Sequence, residues 1–429
     1  MWPKDNREQS KMNNIIPIGG FWGPVHNYNS PYSEALKNFI TDEIYTLIKG
    51  LGINFISYIE RDYQLEPDEI IENLQMSEKY GIGLYVRDSK LTNETTAEEL
   101  KERISKYSRF KSFYGIDVCD EPGCDYYVPK SPHIDTFDKL ATMINNSGNM
   151  NAYVNLFPKF GEYEDLDTVY DNYVEEYIIK CAPKFISYDY YPFIDEQTNK
   201  TCTTYYEHLK YFAKKAKKYD IPFWPFVEVG GYFWMAEESF DQRTPTYNQM
   251  LWNVNNCIAF GAKGIQYFPM MQPTYWGAVD KNTQDFDRMG LIASNGKPTK
   301  WYAPVKAANN WLISIQDIIM NSKHLTVLAK GTVSQKIAAI SRESDEGILN
   351  GIIPGNEEYG SIVGVMRYNG NPTYYVVNYD YENDQKITLK FENKYDIDIY
   401  YQNGNTEVTA GTECNMTLKP GHAALVLLK

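Results

Sequence analysis

The fold is decided by the stretch Tyr114-Gly115-Ile116-Asp117-Val118-Cys119-Asp120-Glu121-Pro122. Its apolar first half suits a strand buried inside a barrel, and Pro122 ends that strand because proline cannot donate a hydrogen bond to a neighbouring strand. The strand therefore delivers Asp120 and Glu121 to its C-terminal edge, which in a parallel α/β barrel is the edge that carries the chemistry. We interpret both acids as functional; the alternative is that they cap the next helix or pair with a nearby arginine.

Seven other apolar stretches flank this one along the chain, and a helix-like segment follows each of them. The predicted strands cover residues 15–22, 53–58, 82–86, the stretch above, 152–157, 185–191, 222–228 and 264–268, and the last helix covers about 301–320. Such alternation predicts a parallel sheet, and eight units of this length predict a closed (β/α)8 TIM barrel of the α/β class. No junction between strand and helix carries GxGxxG or GxxxxGKS/T, which argues against a nucleotide-binding fold.

The pattern changes from about residue 323 onward, where short strand candidates alternate with Gly/Asn turns. These candidates cover residues 362–366, 374–378, 387–391, 397–400 and 423–427. We therefore expect a small antiparallel β-sandwich domain over residues 323–429, whose role is to pack on a catalytic barrel over residues 15–320; sugar binding is the alternative role. Residues 1–14 are polar and predict a loosely packed lead-in.

The composition argues against several classes of partner. The chain has 429 residues and a net charge of −14, so it is long enough for a large and a small domain and too acidic for a nucleic-acid partner, which needs clustered Lys and Arg. The six Cys and five His show no metal-ligand spacing, so we expect no metal and no cofactor. The sequence has no run of about 18 apolar residues, so we expect no membrane span.

Two glutamates lie at the ends of predicted strands and follow apolar residues. Glu121 follows the fourth predicted strand, and Glu228 ends the seventh. The ends of these two strands face each other across the mouth of an eight-stranded barrel. Carboxylates that face each other across a pocket are what glycosidic bond cleavage requires, because one protonates the leaving oxygen and the other attacks the anomeric carbon or activates water. A salt bridge from Glu228 to Arg61 or Arg87 is the structural alternative.

A glutamate acid/base at the end of strand four and a glutamate nucleophile at the end of strand seven resemble the signature of clan A retaining glycoside hydrolases. The resemblance covers the whole barrel as a pattern, together with the β domain that many members carry. A further resemblance, to β-galactosidase-like members, lies in the run after the eighth strand: Gly290-Leu291-Ile292, Asn295-Gly296-Lys297-Pro298-Thr299, Tyr302, Val305 and Asn309-Asn310. Asp120 stands where the clan usually has an asparagine that binds the sugar 2-hydroxyl. Asp-Glu-Pro in this place also resembles uncharacterised glycosidase-like proteins of polysaccharide-degrading bacteria, so we expect a variant family or an unusual substrate.

The resemblance implies a role for each matching residue. Glu121 is the expected acid/base and Glu228 the expected nucleophile, and Asp120 is expected to contact the sugar. A tyrosine of strand six, Tyr190 or Tyr191, is expected to hydrogen-bond the nucleophile. An aromatic residue of strand eight or of its loop is expected to form the floor of the first sugar subsite, and the candidates are Tyr267, Phe268 and Trp276.

Other residues near strand ends have both a functional and a structural interpretation. Asp189 lies at the end of strand six, where it is either a catalytic acid or a member of a structural ion pair. Asp117 is expected to pair with Arg87, which is also a candidate for binding substrate. Glu237 and Glu238 are expected to lie on a solvated face. His26 is expected to contact a sugar hydroxyl, with a structural role as the alternative. Trp22, Trp234 and Trp276 are expected to stack on sugar faces, with core packing as the alternative.

Together with this resemblance, the observations predict a glycoside hydrolase that cleaves a β-linked glycoside of a polysaccharide or oligosaccharide with retention and without a cofactor. Its partner is the carbohydrate substrate. Because polysaccharides occur outside the cytoplasm, we expect an extracytoplasmic protein. The polar N-terminus does not resemble a signal peptide, so we expect that the export signal has been removed. The main alternative is a barrel that binds glycans without catalysis. A third alternative is a lyase or aldolase that forms a Schiff base with a lysine. The absence of a lysine at the end of any predicted strand argues against it.

Overall fold

The computed structural model of the protein describes residues 14–26, 38–57, 67–122, 133–147, 150–159, 166–195, 203–230, 245–272, 290–332 and 348–429. Eight parallel strands close into a barrel in which each strand pairs with the next in chain order and the eighth pairs with the first. The barrel strands are β1 (Ile18–Phe21), β2 (Phe55–Ser57), β3 (Gly83–Val86), β4 (Phe113–Asp120), β5 (Asn151–Leu156), β6 (Ile186–Tyr188), β7 (Phe223–Glu228) and β8 (Ile265–Phe268). The predicted (β/α)8 barrel is confirmed.

Helices connect the barrel strands and cover the outside of the barrel. They are α1 (Asp42–Gly50), α2 (Pro67–Tyr80), α3 (Ala97–Tyr107), α4 (His133–Asn146), α5 (Leu166–Cys181), α6 (Pro192–Asp195), α7 (Thr203–Tyr219), α8 (Tyr247–Ala259), α9 (Tyr302–Ser314) and α10 (Gln316–Asn321). Helix α3 begins with a capping box, because the Glu99 N–H donates to the Thr96 hydroxyl and the Thr96 N–H donates to the Glu99 carboxylate. Within the described ranges, no helix is long and apolar enough to cross a membrane.

Aromatic side chains fill the N-terminal end of the barrel interior. The rings of Phe185, just before β6, and Trp224 of β7 stack with their centroids 3.7 Å apart. Phe55, Tyr85 and Tyr153 pack around them as one buried cluster. This cluster forms a packed floor below the C-terminal ends of the strands, so the space for chemistry lies above it.

The C-terminal unit is an antiparallel sheet with the strand order β10-β13-β15-β12-β11-β9 and with β14 paired to β13. Its strands are β9 (Ser322–Lys330), β10 (Leu349–Ile353), β11 (Ser361–Tyr368), β12 (Asn371–Asn378), β13 (Gln385–Tyr401), β14 (Thr406–Leu418) and β15 (Ala423–Leu428). The first half of β13 pairs with β10 and the second half with β15. The sheet therefore curls and encloses its own core, which includes Val363, Val376 and Ile387. The predicted all-β domain is present as this curled sheet.

The curled sheet packs on the barrel through α8. Tyr375 of β12 donates a hydrogen bond to Asn255 Oδ1 at 2.7 Å and accepts one from Trp311 Nε1 at 2.9 Å, and all three side chains are buried. Gly364 of β11 lies so close to the helix that an added Cβ would be 2.3 Å from the carbonyl oxygen of Ala259. These contacts confirm that the domain packs on the barrel, and they join the two units into one buried interface.

Candidate active site

A β-bulge in β4 turns two acids of the opening stretch toward the barrel interior. Asp117 pairs with Tyr153 of β5 and Asp120 pairs with Asn155, so the spacing is one residue longer on β4 than on β5. Strict alternation would turn the two acids to opposite faces of the strand, whereas the extra residue places both on the inner face. Bulges commonly re-aim side chains next to active sites.

Glu121 follows β4 directly and has a left-handed backbone conformation with φ 45°. Its N–H donates a hydrogen bond to the carbonyl oxygen of Asn155 at 2.9 Å, which holds the residue against the end of β5. A non-glycine residue in this conformation costs on the order of 1–3 kcal/mol, and such residues concentrate at functional sites. The geometry aims the Glu121 side chain differently from that of a residue that simply continues the strand.

Arg87 and Asp117 form an ion pair at the mouth, with 3.1 Å between Arg87 Nη1 and Asp117 Oδ1. The Asp117 side chain has no solvent exposure, while about a third of the arginine side chain, 33%, is exposed. The predicted pairing of these two residues is confirmed. The guanidinium brings a positive charge to a part of the mouth that is otherwise lined by carboxylates.

A chain of buried hydrogen bonds crosses the barrel interior just above the aromatic floor. The amide nitrogen of Asn155 donates to Asp189 Oδ1 at 2.9 Å and to Asp120 Oδ1 at 3.2 Å. Ser187 Oγ donates to Asn155 Oδ1 at 2.9 Å and accepts from Gln266 Nε2 at 2.8 Å. One asparagine therefore joins acids from the ends of β4 and β6, and the chain behind it fixes the orientation of its amide.

The pKa values of the two acids held by Asn155 are raised far above the ordinary aspartate value. Burial, followed by the negative charges of Glu121 and Asp117, raises the pKa of Asp120 to about 8. Solvent reaches part of the Asp120 side chain, but protein surrounds its carboxyl group. Burial is also the largest cause that raises the pKa of Asp189 to about 7; a hydrogen bond to Glu121 opposes the rise, and the charge of Asp120 adds to it. Carboxyl groups that keep a proton near neutral pH are suited to acid catalysis.

Glu228 is the last residue of β7 and is completely buried. It pairs with Phe268 of β8 in the sheet register, and its Oε1 accepts a hydrogen bond from the backbone N–H of Phe193 at 3.0 Å. Phe193 belongs to the short helix α6, which follows β6. The end of β6 therefore orients the Glu228 carboxyl group through its backbone.

Aromatic rings line the side of the mouth formed by β1, β7 and β8. The Trp22 and Tyr191 rings contact Phe268 with centroids 4.7 and 5.7 Å away, and Phe21 contacts Phe226 at 5.2 Å. Trp22, like Glu121, is a non-glycine residue with a positive φ, 70°. The mouth thus has an acidic side and an aromatic side. Trp22 and Phe268 are buried in ring-to-ring contacts, which is the core packing that was the alternative for Trp22, and Tyr191 is partly exposed.

Two predicted substrate contacts lie on the outer side of the sheet instead. The Tyr190 ring is buried and stacks on His208 of α7 with centroids 4.5 Å apart. The Tyr267 hydroxyl is buried and donates to Asn309 Oδ1 of α9 at 2.7 Å. Each of these residues alternates along the chain with neighbours that face inward, so its own side chain faces outward. Tyr267 therefore does not lie where it could contact a sugar, and Tyr190 does not lie where it could bond the nucleophile.

His26 is placed against α2. Its backbone N–H donates to Glu69 Oε1, and its Nε2 lies 2.6 Å from Glu72 Oε2. The structure therefore gives His26 the structural role that was its alternative. The remaining predicted residues Arg61, Trp234, Glu237, Glu238 and Trp276 lie outside the described residues.

The sequence interpretation missed the residues that organise the acids, namely Asn155, Ser187 and Gln266. Each is a polar residue at an inward-facing position of a strand that is otherwise apolar. Period-two alternation, followed from Asp189 back to Ser187 and from Phe268 back to Gln266, is the signal that identifies them.

A cavity of about 350 Å³ lies on the β domain between β13 and β14. It is lined by Lys386, Tyr401, Asn403, Asn405, Glu407, Asn415, Met416 and Thr417. Glu407 is its one carboxylate, so it contains none of the acids that the barrel mouth brings together.

Several solved structures have an architecture similar to that of this chain. A glycoside hydrolase family 5 protein from Bacteroides vulgatus ATCC 8482 is similar with a TM-score of 0.55 and 10% identity, over 97% of this chain and 89% of that one. The GH51 arabinofuranosidase from Xanthomonas axonopodis pv. citri gives 0.51 and 9%, over 97% and 96%. An Anoxybacillus alpha-amylase gives 0.52 and 12%, over 97% and 98%.

No family model matches the chain, and no curated protein matches it. At such low identities the likeness shows the fold alone: a (β/α)8 barrel followed by a β domain. Fold and site together define a barrel protein whose C-terminal mouth carries acids from β4, β6 and β7.

Proposed function

We propose that the protein is a glycoside hydrolase that cleaves a β-linked glycoside by a retaining double displacement. The observation that carries the proposal is the delivery of Glu121 by β4 and Glu228 by β7 to the C-terminal end of the same closed barrel. The hydrogen bond that Glu228 accepts from the Phe193 N–H and the acid cluster around Glu121 support the assignment of different tasks to the two glutamates. Glu228 is the nucleophile, and Glu121 is the acid and then the base.

In the first step, a Glu228 oxygen attacks the anomeric carbon while the glycosidic C–O bond breaks and the Glu121 proton moves to the leaving oxygen. In the second step, the Glu121 carboxylate takes a proton from water, and the water oxygen attacks the anomeric carbon. The bond between the sugar and Glu228 breaks, so the free carboxylate of Glu228 and the protonated Glu121 are restored. Two inversions leave the anomeric configuration unchanged.

The two sides of the mouth indicate how a sugar is held. Tyr191 and Phe268, which contact each other, are the aromatic residues proposed to stack on the apolar face of the ring. Arg87 and Asp120 lie on the opposite side, where hydroxyl groups of the ring would bind. Because such substrates are polysaccharides or their fragments, we place the protein outside the cytoplasm.

The assignment is tested with Glu228→Ala, compared with Glu98→Ala, which alters an exposed glutamate on α3. We expect Glu228→Ala to fold normally, to lose nearly all hydrolysis of aryl β-glycosides, and to regain turnover with azide as an α-glycosyl azide, while Glu98→Ala hydrolyses normally. Normal hydrolysis by Glu228→Ala overturns the assignment. Glycan binding by the unaltered protein without turnover of any matching oligosaccharide favours the non-catalytic alternative.

The stereochemistry is tested separately. NMR of the first-formed product is expected to show the anomeric configuration of the substrate. A crystal structure is expected to show the carboxyl groups of Glu121 and Glu228 about 5–5.5 Å apart, whereas a separation of roughly 6.5–9.5 Å would indicate inversion.

A further inference from the structure

We propose that Asp189 is a positioning residue for Glu121, with one proton shared between the two carboxyl groups so that Glu121 enters the reaction as the protonated acid. The inference rests on the proposed function, in which Glu121 is the acid/base. It adds a third acid, from β6, to the pair from β4 and β7.

The first argument is the contact itself. The Glu121 N–H donates to the carbonyl oxygen of Asn155, and the Asp189 carboxyl group accepts from the side-chain amide of the same residue, so the carboxyl groups of Asp189 and Glu121 come within hydrogen-bonding reach of each other. An ionised carboxylate can only accept hydrogen bonds, so two carboxyl groups can make this contact only when one of them carries a proton. The pair therefore holds one proton as a unit, as carboxyl pairs that share a site do.

The second argument is the position of the proton within the pair. Asn155 Nδ2 donates to Asp189 Oδ1 at 2.9 Å, which favours the ionised form of Asp189. The hydrogen bond from Glu121 acts on Asp189 in the same direction. Burial and the charge of Asp120 oppose these two bonds and keep the pKa of Asp189 raised, to about 7. Once the pair has lost its first proton, Asp189 is the acceptor of both bonds, so the remaining proton lies on Glu121, where a general acid needs it.

The third argument is that Asp189 cannot move away from Glu121 easily. Asp189 is 4% exposed, and Asn155, which holds its carboxyl group, is fixed in turn by Ser187. Ser187 and Asp189 belong to the same strand end, and Asn155 lies on the neighbouring strand, so the Asp189 carboxyl group is held by two strands of the barrel. Glu121 has the partly exposed position from which a proton can reach a substrate.

Other charged groups lie at the same C-terminal ends of the barrel strands as the pair. They are Asp120 and Asp117 of β4, Arg87 next to β3 and Glu228 of β7. Arg87 offsets the charge of Asp117 through their ion pair, and the charge of Asp120 acts on Asp189. After Glu121 gives its proton to the leaving oxygen, two carboxylates lie side by side. Their repulsion makes Glu121 a stronger base for the water that attacks in the second step.

The test is Asp189→Asn, which keeps the shape and the acceptor for Asn155 but removes the charge. Glu121 then loses the partner that favours its protonated form. We expect the alkaline limb of kcat/KM for an unactivated aryl glycoside to move to lower pH by about one unit or more, which lowers activity at pH 8 by about tenfold or more and leaves activity at pH 5 almost unchanged. A dinitrophenyl glycoside, whose leaving group needs no proton, is expected to show little change in the first step.

The matched control is Asp88→Asn, because Asp88 is also a buried aspartate but bonds to Arg103 and Tyr107 on the helix side. We expect this variant to leave the alkaline limb in place. An equal loss of activity at every pH in Asp189→Asn, without movement of the limb, overturns the proposal, because that is the effect of a merely structural residue.

A measurement without substrate separates this inference from the proposed function. In protein labelled with ¹³C at the carboxyl carbons, Glu121 and Asp189 are expected to titrate as a coupled pair, and Glu121 is expected to titrate in one step at lower pH in Asp189→Asn. An unchanged Glu121 midpoint in that variant overturns the shared proton. Coupled titration in a protein that hydrolyses no glycoside would refute the proposed function and keep the pair.

Discussion

Replacement of Asp120 by asparagine is expected to stabilise the protein increasingly as the pH rises. The Asp120 carboxyl group lies where burial and the charges of Glu121 and Asp117 raise its pKa from 3.8 to about 8. Asparagine has the same shape, and its oxygen still accepts the hydrogen bond from Asn155. The substitution therefore removes a charge that the folded state disfavours and keeps the contact that holds the side chain.

The direction of the effect follows from proton binding. The folded-state pKa is higher than the unfolded value, so between pH 3.8 and about 8 the folded protein holds a proton that the unfolded chain has released. The contribution of Asp120 to stability is complete below pH 3.8 and decreases as the pH rises toward 8. The slope is about 1.4 kcal/mol per pH unit, so between pH 4 and pH 7 the loss is on the order of 4 kcal/mol. Asparagine does not titrate, so the variant is expected to gain that amount relative to the unaltered protein.

The assay is denaturant unfolding of both proteins from pH 4 to pH 8, together with calorimetry in buffers of different ionisation enthalpy, which counts the protons released on unfolding. Near pH 6 the unaltered protein is expected to release about one proton more than Asp120→Asn. The control is Asp384→Asn, which changes an exposed aspartate paired with Lys419 and is expected to gain little stability. Equal proton release by the two proteins, or a less stable Asp120→Asn at pH 8, would refute the reasoning.

Three further predictions follow from single contacts. Glu121→Gln is expected to slow hydrolysis of unactivated aryl glycosides by roughly 10²- to 10⁴-fold, the contribution of a general acid, and initial rates that stay within threefold of the unaltered enzyme would contradict that role. Tyr375→Phe is expected to lower the free energy of unfolding by about 1–3 kcal/mol in urea, because Trp311 and Asn255 each lose a buried partner; an unchanged midpoint would mean that the interface is not energetically coupled. Tyr267→Phe is expected to reduce stability by about 1 kcal/mol without a change in KM, and a raised KM would place its hydroxyl at the substrate after all.

The barrel could be predicted from the sequence because its determinants are local. Each strand is a short apolar run, and Pro122, Pro158 and Pro192 each mark the end of a strand or of its extension. The capping box at Thr96 and Glu99 is likewise a pattern of neighbouring residues. Such signals require no knowledge of which strands meet in space.

The arrangement within the mouth could not be predicted in the same way. The bulge in β4 depends on pairing with β5, and without it alternation places Asp117 on the same face as Glu121 rather than with Asp120. The part played by Asn155 depends on contacts to residues more than thirty positions away in the chain, since 35 positions separate it from Asp120 and 34 from Asp189.

The β domain shows the same limit of local signals. The polar residues 392–396 resemble a turn and divide β13 into two predicted strands, but long-range pairing with β14 carries the chain through them with a register shift between Lys390 and Tyr395. The strands β9, β10 and β14 also depend mostly on their partners, because their exposed positions interrupt the apolar alternation.

The distribution of unfavourable features within the barrel is itself an argument for where the function lies. Five non-glycine residues have a positive φ in the part of the chain that the structure describes. Three of them, Ala182, Asp220 and Asn369, follow helices or occupy a hairpin turn, where the left-handed conformation is ordinary. The other two, Trp22 and Glu121, each follow a barrel strand directly and lie at the mouth.

The buried acids with raised pKa values lie at that same end, while the opposite end of the interior is filled by a stacked aromatic cluster that carries no such cost. Strain of about 1–3 kcal/mol at each of the two residues, and carboxyl groups that weaken the fold at neutral pH, reduce stability without any structural return. A barrel selected for stability alone would relieve both with glycine or asparagine at positions 22, 120 and 121. Their concentration at the C-terminal mouth is therefore better explained by selection for chemistry on a bound substrate than by the needs of the fold.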